Sequence, residues 1–422
     1  MQGGDFSAPV TVSAVRFEGI SATKDGLLSR HAAPLFALPR DTPFGHVAAP
    51  SPRGRRETAP ARRVAVVFHV KEVSRLYAKT GTEIGNNEGN MFANLKIRNA
   101  LGNAETLEAT VNYGVETSEP LTENKPFQSQ LGSSFSVLFS KPYDADPNKL
   151  ILLNAFKQSK GHNLYSSYSE QNSGLSAKFK TLDTYVGAIH EMGYESTWRR
   201  LFDLGSVASM TIRKDAGHSL KSALTYLGTL DRRDDNLLPT RGYYIKTHLE
   251  AAGLGGDVRH IKTESEAQVH IPIADSGFSF SSSLRSGLLY PLFGTATRVN
   301  DRFLLGGSGN VRGFTHNGIG PKDGNDVVGG DFFLAGGLSL FTPLPWLREY
   351  PIKGHLFANA GNLVKLDDAK DLSVASKKLL SGFSSAVGLV LQLEINYCLP
   401  ISVTSTDGVK PGLQFGAGLH FA

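Results

Sequence analysis

Cysteine, long apolar runs and charge of one sign are all scarce in this chain. Its 422 residues include one cysteine, Cys398, which excludes an internal disulfide and any thiolate-rich metal site. No stretch approaches the roughly 18 uninterrupted apolar residues of a membrane-spanning helix. The start, MQGGDFSAPV, lacks the basic n-region and apolar core of a secretory signal. An Arg-rich, acid-poor amphipathic presequence is missing too. The 44 basic residues stand against 39 acidic ones, a net charge of +5. No basic run is interleaved with stacking aromatics, so nucleic acid is not an expected partner.

Catalytic signatures are equally thin. The lone His190–Glu191 pair has no second histidine four residues on, so a zinc protease is unsupported. Gly307, Gly309 and Gly313 miss the G-x-G-x-x-G spacing by one residue, and no βαβ alternation surrounds them. The chain is not expected to be an enzyme, and no metal or cofactor is implied.

What is abundant is glycine, with 45 residues against a usual share of about 7%, together with alternation of period two. In FANLKIR, Ala93, Leu95 and Ile97 oppose Asn94, Lys96 and Arg98. In GLSAKFKT, Leu175, Ala177 and Phe179 oppose Ser176, Lys178 and Lys180. In YYIKTHLE, Tyr243, Ile245, Thr247 and Leu249 oppose Tyr244, Lys246, His248 and Glu250. In GLVLQLEINYC, Leu391, Leu393, Ile395 and Tyr397 oppose Gln392, Glu394, Asn396 and Cys398. Each reads as one strand of ten or so residues. Alternation alone fits a soluble sandwich as well as a membrane barrel. Three features favour the barrel. The strands approach the 9–11 residues of a tilted membrane strand, their polar faces carry charges in mid-strand, as a wet lumen allows, and no helical layer interrupts the chain after Arg75. At about 21 residues per strand and turn, residues 75–422 accommodate near 16 antiparallel strands. A sheet of that size must close or split, and only a closed one is tolerated by lipid.

Residues 1–74 differ. Val10–Ile20 and Arg62–Val73 read as strands and TKDGLLSRHAAPLF as a short helix, an incomplete α+β region. Ala37–Arg63, rich in Pro, Arg and Ala, has neither period and reads as a loop or disordered insert.

The segment DRFLLGGSGNVRGF (Asp301–Phe314) is too glycine-rich for a strand and too apolar for an exposed loop. It follows Phe278–Gly294, taken as the twelfth strand, and precedes Val327–Pro343, taken as the thirteenth. Val311 and Phe314 favour folding into the lumen, where the guanidinium of Arg312 needs acceptors, since an unpaired buried charge costs several kcal/mol.

FLLGGSGNVRGF resembles the loop signature of the outer-membrane barrel-assembly superfamily, which includes bacterial BamA and the mitochondrial sorting and assembly machinery. The segments YSEQNSGLSAKF, RKDAGHSLKSAL, LPTRGYYIK, GGDVRHIK, LSLFTPLP and LEINYCLP are similar to the central barrel subunits of that machinery, in order, over about Leu76–Ala422. The resemblance implies that Val311, Arg312, Gly313 and Phe314 tuck into the barrel and meet a strand motif, here Phe357, Asn359 and Gly361. Asn359 stands where the bacterial motif has Asp, so Arg312 would find a carbonyl oxygen instead of a carboxylate. That Phe-x-Asn-Ala-Gly form resembles the animal mitochondrial branch. The front portion resembles a single polypeptide-transport-associated (POTRA) domain, departing from it where Ala37–Arg63 replaces the second helix and middle strand. A second departure is SSAVGLVLQLEINYCLP, which runs on where the family turns between its fourteenth and fifteenth strands. The hairpin is shortened there, or two strands fuse.

Near the end, Gln414, Gly416, Leu419 and Phe421 fit the family's β-signal. A seam between the first strand, with Gly81 and Gly85, and the glycine-bearing last strand would be the weakest join, because each interior glycine costs roughly 0.5–1 kcal/mol relative to alanine. Its open edge is a template for an incoming strand. The resemblance thus implies an insertase of the mitochondrial outer membrane that recognises the β-signal of unfolded β-barrel precursors. Its expected partners are those precursors, accessory subunits of the machinery, membrane lipid and the inner-membrane cristae-organising complex. The alternative is a passive metabolite pore, which would open with a luminal helix and lack a V-R-G-F loop. A two-partner secretion channel shares the loop but expects two POTRA domains and an export signal.

Overall fold

The computed structural model describes residues 10–18, 20, 23–24, 28, 62–70, 72–85, 88–116, 132–236, 239–273, 277–307, 309–343, 353–366, 372–391 and 395–415. The chain divides into two compact units. One comprises Met1–Lys79, Leu95–Glu108 and Leu138–Ile151; the other comprises Thr80–Asn94, Ala109–Val137 and Leu152–Ala422.

In the first unit, β1 (Val10–Glu18) and β2 (Arg62–His69) pair in parallel, from Val10↔Arg62 to Glu18↔His69, with a bulge between Val12 and Ala14. Parallel neighbours need a long connection, and the two strands are far enough apart in sequence to allow one. Phe17 stacks on Phe68 with centroids 5.3 Å apart. The expected helix and nearly all of the insert lie outside the described residues, but Arg62 and Arg63 belong to β2, so the insert ends sooner than the Pro/Arg composition suggests. Thr23 donates from its backbone N and its hydroxyl to Glu72 (3.0 and 2.8 Å), and accepts from Asn99 (2.8 Å).

Sixteen strands form one sheet. They are β3 (Leu76–Gly85), β4 (Glu88–Arg98), β5 (Thr106–Glu116), β6 (Gly132–Tyr143), β7 (Asp146–Gly161), β8 (Ser169–Leu182), β9 (Ala188–Phe202) and β10 (Gly217–Asp231), followed by β11 (Gly242–Gly256), β12 (His260–Ile273) and β13 (Phe278–Pro291). A small hairpin, β14 (Lys322–Asp323) and β15 (Asp326–Val327), lies apart, before β16 (Phe332–Pro343), β17 (Lys353–Val364), β18 (Ser384–Leu391), β19 (Ile395–Ser402) and β20 (Gly412–Phe415) complete the sheet. Strands are neighbours in chain order, and every register from β8 to β20 is antiparallel. No pairing between β3 and β20 is recorded among the described residues.

The alternation identifies the two faces, and they are inverted relative to a soluble sheet. Tyr243, Ile245 and Leu249 of β11 are exposed while Glu250 is buried. Leu175, Met192, Tyr194, Leu224, Ile261 and Leu284 repeat the pattern. The polar face is braced by cross-strand charges instead: Lys178 to Glu191 at 3.0 Å, Lys221 to Glu250 at 2.9 Å. Apolar outside and charged inside is the polarity of a sheet that meets lipid.

Several expectations need correction. The strands from β7 to β13 run 14–16 residues, longer than the ten or so read from the pattern. The glycine-rich loop separates the eleventh and twelfth strands of the sheet, not the twelfth and thirteenth. Among the described residues two helices lie in connections of the sheet, α1 (Met210–Asp215) and α2 (Leu372–Ser381), and neither forms a layer that interrupts it. Finally, Gly388–Cys398 is two strands, not one: β18 and β19 pair as a hairpin with Leu391 opposite Ile395, so the strands do not fuse. The register explains the misreading. Leu389 pairs with Tyr397 and Leu391 with Ile395, so partners on one face are an even number of residues apart. An even separation leaves the period-two pattern in phase.

Candidate functional site

Residues 292–331 leave β13 and return to β16, and the described stretches Asp301–Phe303, Val311–Phe314, Asn317–Gly320 and Asp326–Asp331 are buried, while Phe293, Thr315 and His316 stay exposed. The loop is first closed on itself. Phe303 and Gly330 exchange backbone hydrogen bonds of 2.8 and 3.0 Å, and Ile319 N donates to Leu305 O at 2.9 Å. Its apolar residues Phe303, Leu305, Val311, Phe314 and Ile319 join one buried cluster with Leu289, Phe333, Leu363 and Ala386 of the sheet. Burial of that kind is worth about 1.5–3 kcal/mol per large side chain, enough to offset the ordering of a glycine-rich segment.

The strand motif is where this cluster is tightest. A Cβ on Gly361 of β17 would lie 2.8 Å from Val311 Cγ2 and 3.0 Å from Leu305 Cδ2, so the absence of a side chain there makes the seat for Val311. Gly313 has φ +91°, and a Cβ on it would sit 2.7 Å from the Cβ of Ala386 in β18. Both its backbone and its surroundings demand glycine. Lys410 N donates to Gly313 O (3.0 Å) and Phe314 bridges to Val409. The loop motif is therefore bonded to the connection between β19 and β20.

Arg312 is 3% exposed, and its guanidinium carbon lies 5.2 Å from the ring centroid of Phe357, within cation–π range. The hydrogen bond expected from Arg312 to Asn359 is not formed: Asn359 is buried, and neither its Oδ1 nor its Nδ2 has a hydrogen-bond partner. The two motifs meet through Val311–Gly361 and Arg312–Phe357 instead. A neutral amide attracts a guanidinium less than a carboxylate does, and the aromatic face takes its place.

A second set of contacts went unrecognised in the sequence. Asp301, at the start of the loop, accepts two hydrogen bonds from Arg199 of β9, at 2.7 and 3.1 Å. Lys262 of β12 donates to the Asp301 carbonyl at 2.7 Å, and its ammonium lies 4.6 Å from the centre of the Phe303 ring. Arg285 of β13 donates to Asn310 Oδ1 at 2.6 Å. Burial pushes the Asp301 carboxyl up, but the Arg199 charge and hydrogen bonds outweigh it and hold it below the ordinary carboxylate range. At the far end of the loop Asp331 goes the other way, raised chiefly by burial.

Glu250, His260 and Asp301 come close enough to suggest a metal centre. Their oxygens are already engaged: Lys221 and His260 occupy the two oxygens of Glu250, and Arg199 occupies both of Asp301. With Lys262 beside them, the cluster carries its own cations and reads as an ion-pair network.

Of the seam residues, Gly81 lies in β3, where a Cβ would meet the Phe92 ring at 2.6 Å. Gly85 ends β3. Gln414 lies in β20 opposite Asn396. Gly416, Leu419 and Phe421 fall outside the described residues.

An Omp85 superfamily domain matches residues 99–421. The sorting and assembly machinery component 50 homolog of Mus musculus is 34% identical over 444 aligned residues, covering 98% of this chain and 90% of that protein. The chain belongs to the SAM50 family of the Omp85 superfamily. A SAM50-like protein of Schizosaccharomyces pombe is 37% identical over 370 residues, covering 84% of this chain and 74% of the other. Among solved structures, BamA from Haemophilus ducreyi lacking POTRA domains 1–3 superposes with a TM-score of 0.76 at 14% identity, over 96% of this chain and 83% of that shortened chain. The sheet of this SAM50-family chain thus has the fold of a transmembrane β-barrel, and its inverted faces have their reason: lipid on one side, water and the packed loop on the other.

Proposed function

We propose that this chain folds β-barrel precursors into the mitochondrial outer membrane, taking the C-terminal β-signal of each precursor onto the edge of β3 at a seam with β20. A role in β-barrel assembly accords with the SAM50 relatives and the BamA-like fold. The carrying observation for the seam is the order of the sheet: β3 and β20 stand at its two ends, each with a neighbour on one side among the described residues. A join between the first and last strands has no turn to tether it, so it is the least costly place to open. An opened edge in hydrocarbon leaves each backbone group unsatisfied at a cost of several kcal/mol. An incoming strand relieves that cost, and each added hairpin repeats the step, which needs no nucleotide. Precursors and subunits of a sorting and assembly machinery are the partners in this reading, with accessory subunits and the inner-membrane cristae-organising complex as its finer extension.

Single cysteines placed along Leu76–Gly85 should cross-link to a cysteine in the last strand of an arrested precursor, residue by residue in antiparallel register. Cross-links confined to other strands would remove the seam from the mechanism while leaving the barrel intact.

A further inference from the structure

A cleft of about 460 Å³ opens on the sheet among β6 to β10, its lining including Phe135, Lys157, Ser173, Leu175, Trp198 and Leu220. That volume lies within the roughly 300–1,000 Å³ of ligand sites. The registers place its parts. Trp198 of β9 stands opposite Ser173 of β8 and Leu220 of β10, and Leu175 stands opposite Ser196. Directly opposed residues share a face, and Leu175 and Trp198 are exposed, so this is the outward, apolar face. Serines between large apolar residues leave a trough there.

The next rung toward the end of β9 is cationic. Arg200 stands opposite His218 of β10 and Gln171 of β8, and is itself exposed. Trp198 Nε1 donates to His218 Nδ1 at 3.0 Å, which leaves the other imidazole nitrogen of His218 for another partner. The guanidinium of Arg200 lies 5.2 Å from the centre of the Phe202 ring. Lys157 adds a second basic side chain to the cleft wall. The outward rungs of β8, β9 and β10 carry Gln171, Ser173, Trp198, Arg200, His218 and Leu220, none of them acidic; one carboxylate borders them, Asp257, whose Oδ2 accepts from Leu220 N at 2.9 Å.

We propose that this cleft is a binding site for one anionic phospholipid of the surrounding bilayer. An acyl chain lies in the trough over Ser173 and Ser196, between Leu175, Trp198 and Leu220. The phosphate sits above it, against Arg200 and Lys157. The arrangement suits a lipid because an apolar trough and a cationic rim follow one another along the strand, with a tryptophan, a residue enriched at membrane interfaces, between them. Basic side chains there extend to the headgroup while their stems stay in contact with hydrocarbon.

Trp198 provides the test. The chain has two tryptophans, so Trp346→Phe leaves Trp198 as the sole tryptophan, excited selectively at the red edge of the band. The full chain would be reconstituted in phosphatidylcholine vesicles carrying a doxyl-labelled phosphatidylglycerol or, at equal mole fraction, a doxyl-labelled phosphatidylcholine. The anionic quencher is expected to quench Trp198 more strongly. Arg200→Gln and Lys157→Gln should each reduce that preference, by about fivefold for a basic residue near an anionic lipid. Ser173→Phe, which fills the trough, should lessen quenching by both lipids. Equal quenching by the two lipids in the unsubstituted background overturns the proposal. So does a preference that survives both basic-residue substitutions. The wild-type comparison alone decides if a variant folds poorly.

Discussion

Arg199 and Asp301 stand 102 residues apart in sequence, yet they form a two-point ion pair, and each side chain is only 4% exposed. The pair joins the wall of the sheet to Asp301, where the Asp301–Phe314 segment of the loop begins, and Lys262 reinforces it from β12 through the Asp301 carbonyl. The loop is therefore clamped at its entry by charge and seated at its tip by shape, two holds of different physical kind.

Asp301→Asn should destabilise the folded chain severely, because a buried guanidinium then loses its counter-charge. Breaking such a pair costs about 3–5 kcal/mol. Arg199→Ala should be comparably damaging. The double replacement Arg199→Met with Asp301→Leu should recover much of the loss, since no buried charge is left unmatched. Heat-modifiable gel mobility followed against temperature gives the ranking. A double variant as weak as either single one would mean the pair acts through something other than charge balance.

Gly361→Ala should be destabilising in proportion to the crowding of Val311. A Cβ there lies 2.8 Å from Val311 Cγ2, closer than carbon contacts permit, and overpacking of this order costs about 1–3 kcal/mol. Val311→Ala on the same chain should relieve it, so the two substitutions together should cost less than their sum. Additive losses would show that the two motifs do not touch in the folded protein.

The sixteen strands were legible because lipid imposes a strict rule on one face and water on the other, which preserves alternation through β8, β11 and their neighbours. The break between β18 and β19 was not. Leu389 and Tyr397 stand opposite each other, both exposed and an even number of residues apart, so the alternation passes through without a break. Of the candidate site, Val311, Gly313 and Phe314 could be read from apolar residues set among glycines. Arg199 could not, for a charge in mid-strand looks the same whether it meets water, a neighbouring strand or a loop residue 102 positions later. Asn359 misled for a related reason: the motif suggested a partner for Arg312, while the actual surroundings of the guanidinium include the ring of Phe357 two residues earlier in the same strand.

Between β10 and β11, Asp234 accepts from Thr240 N and Oγ1 (2.9 and 2.5 Å) and from Arg241 N (3.2 Å). Burial pushes its carboxyl up, and these bonds outweigh it, leaving a pKa of about 2 against an ordinary 3.8. A depressed carboxylate stabilises the fold fully above its unfolded pKa and loses that contribution as pH falls through the folded value. The Thr240 and Arg241 amides should thus stay protected from exchange at pH 5 and lose protection, relative to other turn amides, as the pH drops through about 4 to 2. Asp234→Asn should show faster exchange at those two amides already at neutral pH. Unchanged exchange in that variant would show that the carboxylate does not hold the turn.

Arg312 provides the sharpest separation between holding the loop and using it. Val311, Gly313 and Phe314 fix the loop by burial and backbone bonds, so Arg312→Ala should leave the barrel assembled and heat-modifiable. Under the proposed function it should nevertheless lower the yield of a radiolabelled barrel precursor inserted into isolated membranes. Phe357→Leu removes the aromatic face while keeping apolar bulk, and should lower insertion in the same direction if the cation–π contact aims the guanidinium. That contact is worth about 0.5–2 kcal/mol, so a loss of a few-fold is expected. Arg312→Lys retains the charge without the planar fork and should fall between. Insertion at the wild-type rate in Arg312→Ala would confine Arg312 to a packing role. A barrel that fails to assemble in the same variant would instead place the guanidinium among the groups that hold the loop down.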